Sequence, residues 1–138
     1  MRLTRRYRFS ASHRLHTPAL SEEENYLLYG KCNNPYGHGH NYVLDITVEG
    51  PVDRHGQVAP RAPLDELVQE RVLARLDHRN LNEDVPELAG SVPTTENLAS
   101  IVHRMLVEHW NLKPRLARLR ISETDRNTFE MEASGDGQ

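Results

Sequence analysis

The stretch His38-Gly39-His40-Asn41-Tyr42-Val43-Leu44-Asp45-Ile46-Thr47-Val48-Glu49 alternates. Its even positions read His38, His40, Tyr42, Leu44, Ile46 and Val48, against Asn41, Val43, Asp45, Thr47 and Glu49. A period of two is that of a β-strand with one face on a core. Residues 3–13 repeat the pattern: Leu3, Arg5, Tyr7, Phe9, Ala11 and His13 alternate with Thr4, Arg6, Arg8, Ser10 and Ser12. Arg5 is the one exception on that apolar face. Turn residues from Asp53 to Gly56 predict a hairpin into a short strand near residues 57–59.

Farther along, Pro63 is expected to open a helix, with Asp65 and Glu66 in its first turn and a buried stripe of Leu64, Leu67, Val68, Val72 and Leu76. The run "LDHRNLNEDVP" reads as a loop. A second helix begins at "PTTEN", with Thr94 or Thr95 as N-cap, and continues through Leu98, Ile101, Val102, Met105 and Leu106. "LARLRISE" is then a strand with Leu119, Ile121 and Glu123 on one face, and "TFEMEA" returns with Phe129, Met131 and Ala133 inward. This order predicts an α+β domain: an antiparallel sheet with helices on one face.

Parity decides where the histidines go. His13 ends one strand on its apolar face, and His38 and His40 begin the other on its apolar face. If the strands pair antiparallel, the end of the first lies beside the start of the second, and three imidazoles converge at one edge. Three nitrogen donors with an open fourth position are the usual make-up of catalytic zinc. A single histidine at a strand end is more often a hydrogen-bonded residue, but a pair at i, i+2 with a third in register points to a metal. Gly39 is expected to sit where a side chain would crowd a neighbour. His16, His55, His103 and His109 lack this logic and read as solvated.

Cys32 is the chain's one cysteine and lies in "KCNNPYGHGH". It reads as a base or nucleophile beside the metal, its pKa depressed by zinc and Lys31. A small buried hydrophobe, or a fourth ligand closing a structural site, are the other readings. The long connection over residues 14–37 is itself more often functional than idle. Asp77-His78 follows the first helix and reads either as a helix C-terminus or as a carboxylate orienting an imidazole. Glu123 stands on the apolar parity of its strand, where an unpaired carboxylate is costly. Either an arginine answers it, or a ligand with a guanidine-like edge does.

The chain has 138 residues and a formal net charge of -3, which gives no electrostatic case for nucleic acid or an anionic membrane. The charged N-terminus has no apolar h-region, no run is long enough to span a membrane, and a lone cysteine forms no internal disulfide. The expectation is a cytoplasmic protein with one domain over residues 1–133 and a flexible tail over residues 134–138.

Taken together, "FSASHRL", "GKCNNPYGHGHNY", "LDHRNLN", "PTTEN" and "ETDRN", in that order, resemble the 6-pyruvoyl-tetrahydropterin synthase / 6-carboxy-tetrahydropterin synthase family. The resemblance implies the tunnelling fold (T-fold), a four-stranded antiparallel sheet with two helices on one face. Subunits of that fold close into a β-barrel and stack into a homohexamer with interfacial active sites. It implies zinc on His13, His38 and His40, with Cys32 as proton acceptor. Asp77 and His78 become the relay, Glu123 the pterin anchor, and Thr94 and Thr95 weaker pterin contacts. The substrate implied is 7,8-dihydroneopterin triphosphate. The five residues between Cys32 and His38 resemble the pyruvoyl branch; the carboxy branch, of queuosine biosynthesis, usually has a shorter spacing. An aldolase-like pterin cleavage and a non-catalytic zinc-stabilised binding module are the rivals. Pro60 and Pro63, in "QVAPRAPLDEL", depart from the family where relatives commonly carry an acidic residue, which bears on the strand–helix junction and on subunit packing.

Overall fold

The two alternating runs pair along their whole length. β1 (Arg2–His13) and β2 (His38–Glu49) are antiparallel, in unbroken register from Arg2 opposite Glu49 to His13 opposite His38. The structure is a computed structural model and describes residues 1–133; the expected tail, residues 134–138, lies outside the described residues. Between these strands lie α1 (Glu22–Tyr29) and a 3-10 turn (Gly30–Asn33). After β2 come α2 (Arg61–Val68), a π turn (Gln69–Leu73) and α3 (Ala74–Leu76) in one run, then β3 (Arg79–Asn80), a 3-10 turn (Pro86–Leu88) and α4 (Thr95–His109). β4 (Arg115–Ser122) and β5 (Thr128–Glu132) close the order.

The sheet runs β3-β1-β2-β4-β5. Its four long strands are antiparallel, as expected; β3 adds a two-residue parallel pairing with Ala11 and Ser12 that the loop-like "LDHRNLNEDVP" did not announce. The expected strand at residues 57–59 is absent. Its turn exists, with Gly56 N–H donating to Asp53 O at 3.0 Å, but β2 is already flanked by β1 and β4 and has no free edge. Ala59 enters the core instead.

The inward parity of the strands makes the core: Phe9, Ala11, Tyr42, Leu44, Ile46, Val48, Leu119 and Ile121 meet Leu64, Val68, Val72 and Leu76, and Leu98, Val102 and Leu106 of α4. The helical stripe advances by steps of four, which would rotate about 40° per step around an α-helix. The underwound π turn absorbs that drift and keeps Val72 and Leu76 buried. The helix starts at Arg61, two residues before the expected Pro63. Pro60 caps it in extended geometry, and Pro63 falls in the first turn, where an N–H has no helical partner anyway. Arg5, the blemish on β1, has a partner: its Nε and Nη2 donate to Asp65 at 3.0 and 2.7 Å, and Tyr7 OH donates to the same carboxylate at 2.6 Å. Polar groups on the apolar face thus tie β1 to α2.

α1 was not foreseen in the connection over residues 14–37, although Ser21-Glu22-Glu23-Glu24 is a capping-box sequence. Ser21 Oγ accepts from Glu24 N at 3.1 Å and Glu24 Oε1 accepts from Ser21 N at 2.9 Å. No helix among the described residues is long and apolar enough to cross a membrane.

Two carboxylates couple this fold to pH. Hydrogen bonds from Arg2 and Arg115 push Glu49 down to about 2, and hydrogen bonding from Arg5 lowers Asp65. Both are more acidic folded than unfolded, so their contribution is complete above the unfolded values of about 4 and is lost as pH falls through the folded ones. Stability measured by urea unfolding is expected to decline from pH 4.5 towards 2, and Glu49→Gln with Asp65→Asn should make that decline shallower.

Candidate active site

Four donor atoms, one each from His13, Cys32, His40 and Glu123, lie within 4.8 Å of one another. The strand register supplies two of them. His40 stands opposite Ala11, one inward position from His13, and the two Nε2 atoms are 3.1 Å apart. His13 is buried, 1% exposed, and its Nδ1 lies 2.9 Å from the carbonyl oxygen of Pro93. A neutral imidazole that donates through Nδ1 carries its lone pair on Nε2, so His13 turns an acceptor into the cluster.

The other two donors come from chain segments outside this pair of strands. Glu123 follows β4 directly; its Oε1 is 3.2 Å from His40 Nε2 and its Oε2 accepts from Thr95 Oγ1 at 2.9 Å. Cys32, in the 3-10 turn, places Sγ 3.7 Å from His40 Nε2. Gly37 lets the chain enter β2: its φ is +83°, and a Cβ there would lie 3.4 Å from His13 O. Gly39 does not have the role expected of it, since a Cβ at that position meets nothing within 4 Å; its odd parity points away from the rings.

Burial sets the protonation. It lowers the pKa of His13 and of His40, so both rings are neutral and able to ligate near pH 7. It raises the Cys32 thiol, and the Glu123 carboxylate raises it further. The protein's own groups therefore do not depress this thiol, contrary to the expectation drawn from Lys31. One N–H on His40 Nε2 cannot serve His13 Nε2, Glu123 and Cys32 together. A cation at the common centre would satisfy all four, and the nitrogen, sulfur and oxygen donor set suits a borderline ion such as zinc.

The family model for 6-pyruvoyl tetrahydropterin synthase matches residues 2–134. The chain belongs to the 6-pyruvoyl tetrahydropterin synthase family. It is 46% identical over 126 residues to the 6-pyruvoyl tetrahydrobiopterin synthase of Drosophila melanogaster, covering 91% of this chain and 75% of that one. The solved structure of Caenorhabditis elegans 6-pyruvoyl tetrahydropterin synthase superposes with a TM-score of 0.88 at 40% identity, covering 97% of this chain and 96% of that one. A putative 6-carboxy-5,6,7,8-tetrahydropterin synthase of Archaeoglobus fulgidus is 33% identical over 94 residues, 68% of this chain and 74% of its own. The T-fold expected for the family is the fold of this chain.

Against the residues expected for the family, the structure gathers some and separates others. His38 is on the face expected, but its ring packs edge-on against His40 with centroids 4.6 Å apart and its nitrogens are outside the four-atom group. Strand parity sets a ring's side of the sheet; the χ angles set where its nitrogens point. Thr95 reaches the site through Glu123, whereas Thr94 is the N-cap of α4, accepting from Asn97 N at 3.2 Å. Glu123 is answered by Thr95 and His40, neither of the two partner types expected. Asp77 and His78 lie apart from the cluster. His78 adopts a φ of +59°, unusual for a side chain of its size, and its N–H donates to Ser10 O at 2.6 Å. Asp77 Oδ1 accepts from Ser10 N at 2.9 Å, while the contact from Asp77 to the His78 ring is 3.7 Å. His78 is 81% exposed and lines a cavity of about 490 Å³ with Ser10, Ser12, Asn41 and Asp84, open to the outer face of the sheet.

Missed by sequence were the Pro93 carbonyl and Tyr42, whose OH is 3.4 Å from His13 Nδ1. A carbonyl has no residue signature, and Tyr42 reads as core. His103, expected to be solvated, is half-buried with Nε2 unpartnered, and His16 meets the Asn33 side chain at 3.3 Å. The donor geometry predicts stoichiometric metal in wild-type protein by plasma mass spectrometry. His13→Ala and His40→Ala should each weaken metal affinity by more than about 100-fold.

Proposed function

We propose that the protein is a zinc-dependent lyase converting 7,8-dihydroneopterin triphosphate to 6-pyruvoyl-tetrahydropterin with loss of triphosphate. The observation that carries this reading is a His–Cys–His–Glu cluster, buried at His13 and half-buried at the other three, in a chain matched to this family from residue 2 to residue 134. The Cys32–His38 spacing supports the pyruvoyl product over the carboxy one. On this reading His13, His38 and His40 hold the zinc, and Glu123 grips the pterin ring. Zinc, when bound, supplies Lewis-acid stabilisation of negative charge developing on the substrate.

The chain's own groups do the rest. Thr95 orients Glu123 by donating to Oε2, and Oε1, 3.2 Å from His40 Nε2 here, turns to the planar amino-pyrimidinone edge once that nitrogen ligates the metal. Thr94 keeps the N-terminus of α4 beside that edge. Cys32, as thiolate, removes a side-chain proton; a bound cation offsets the burial that raises its pKa. Asp77 and His78 shuttle protons. They open on the outer face of the sheet, so the relay serving one Cys32 comes from a neighbouring copy, in keeping with a homohexamer that has interfacial sites.

A second reading has its own observation: Cys32 and Glu123 complete a four-donor set that would suit a closed, structural zinc site in a non-catalytic binding module. One variant separates the two. Cys32→Ala should keep its zinc and fold while kcat for dihydroneopterin triphosphate falls by roughly 10²–10⁴-fold, with the wild-type product identified as pyruvoyl by mass spectrometry. Zinc loss with unfolding in Cys32→Ala would support the structural site, and a carboxy product would move the chain to the other branch.

A further inference from the structure

Among the asparagines of the quoted motifs that the chemistry above does not use, Asn33 stands beside Cys32, and Asn80 and Asn82 stand just after His78. We propose that Asn33 and Asn82 are positioning residues, the two ends of a clamp that holds Cys32 against the His13–His40 pair and links it to the His78 loop. The proposal rests on the lyase reading for its kinetic consequence and on geometry alone for the clamp.

Cys32 needs such a device. It lies within the connection between β1 and β2, and the helix before it buries only Asn25, leaving Tyr26, Leu27 and Leu28 exposed. Apolar packing therefore does little to place the turn that carries the thiol. Hydrogen bonds to the segment directly after His13 place it instead. Leu15 N donates to Cys32 O at 2.7 Å, Asn33 Nδ2 donates to Leu15 O at 2.8 Å, and Arg14 Nε donates to Asn33 O at 3.2 Å.

That segment is gripped from its other side. Arg14 N donates to Asn82 Oδ1 at 2.6 Å and Asn82 Nδ2 donates to Arg14 O at 2.9 Å. A side-chain amide thus copies the two-bond pairing of a strand, one step beyond the point where Leu81 N donates to Ser12 O at 2.8 Å. Asn80 Oδ1 in turn accepts from Asn82 N at 2.9 Å. The path from Cys32 through Asn33, residues 14–15 and Asn82 to the loop holding His78 is continuous. A thiol that takes a proton must sit within a fraction of an ångström of its target, so the clamp acts on rate rather than on substrate binding.

The single cysteine makes the test direct, because iodoacetamide modification of the zinc-loaded, full-length protein reports on Cys32 alone. Asn33→Ala is expected to speed alkylation about fivefold or more and to lower kcat by roughly 10- to 100-fold, with KM and zinc content within about twofold of wild type. Asn82→Ala should act in the same direction while leaving the Asn33 contacts in place, and it carries the test if Asn33→Ala loses its circular-dichroism signature. Asn34→Ala, one residue on and exposed, is the control. Alkylation and kcat indistinguishable from that control in both variants would overturn the clamp, as would a change confined to KM or zinc content. Should the wild-type protein turn over no pterin triphosphate, the lyase reading fails while the alkylation rates still decide the clamp.

Discussion

Everything in this protein hangs on one register, His13 opposite His38. A one-residue slip between β1 and β2 would send one strand's core residues and histidines to the outer face. A slip of two would keep the apolar parity, so hydrophobic burial alone does not forbid it. The outer face does. Arg2 with Glu49, Thr4 with Thr47, Arg6 with Asp45 and Ser10 with Asn41 are each directly opposite and each hydrogen-bonded. A slip of two sets Arg6 against Thr47 or Val43 and breaks every pair at once. Directly opposed pairs are the unit of sheet stabilisation, and here they also decide where two imidazoles meet.

The cluster then gathers its remaining donors from segments far apart in sequence. Glu123 arrives at the end of β4 and is steered by Thr95 at the start of α4, while the Pro93 carbonyl just before that helix selects the His13 tautomer. The N-terminus of α4 therefore tunes two of the four donors without supplying one. Burial keeps both imidazoles neutral and opposes ionisation of the thiol. This is the electrostatic setting in which a cation is welcome.

The sheet also divides the chemistry. Its helix-covered face holds His13, His40, Cys32 and Glu123; Ser10 and Ser12, on the other face, border the cavity that His78 lines. One chain thus carries the four-donor cluster and the His78 cavity on two sides of one wall, joined mechanically by the short pairing of β3 with β1. A left-handed His78, its N–H donating to Ser10 O while Ser10 N donates to the neighbouring Asp77 carboxylate, is a costly conformation to maintain. The hydrogen bonds at Ser10 are what sustain it.

Sequence by itself determined whatever repeats locally: both long strands, the parity that puts His13, His38 and His40 on one face, the stripe of α2 and α3, and a threonine cap at residue 94 or 95, which the structure places at Thr94. Period two and the helical period are properties of the backbone, so they survive in any fold these segments could join. Order and spacing of the motifs carried the family as well. Tertiary structure alone decided which nitrogens face the cluster, that the His38 ring meets His40 edge-on, and that residues 57–59 find no strand to pair with. It also decided that Arg5 is answered by Asp65, and that Asn33 and the distant Asn82 both hydrogen-bond the segment just after His13. Those outcomes depend on χ angles, free sheet edges and hydrogen bonds between residues far apart in the chain, none of which leaves a periodic trace in the order of residues.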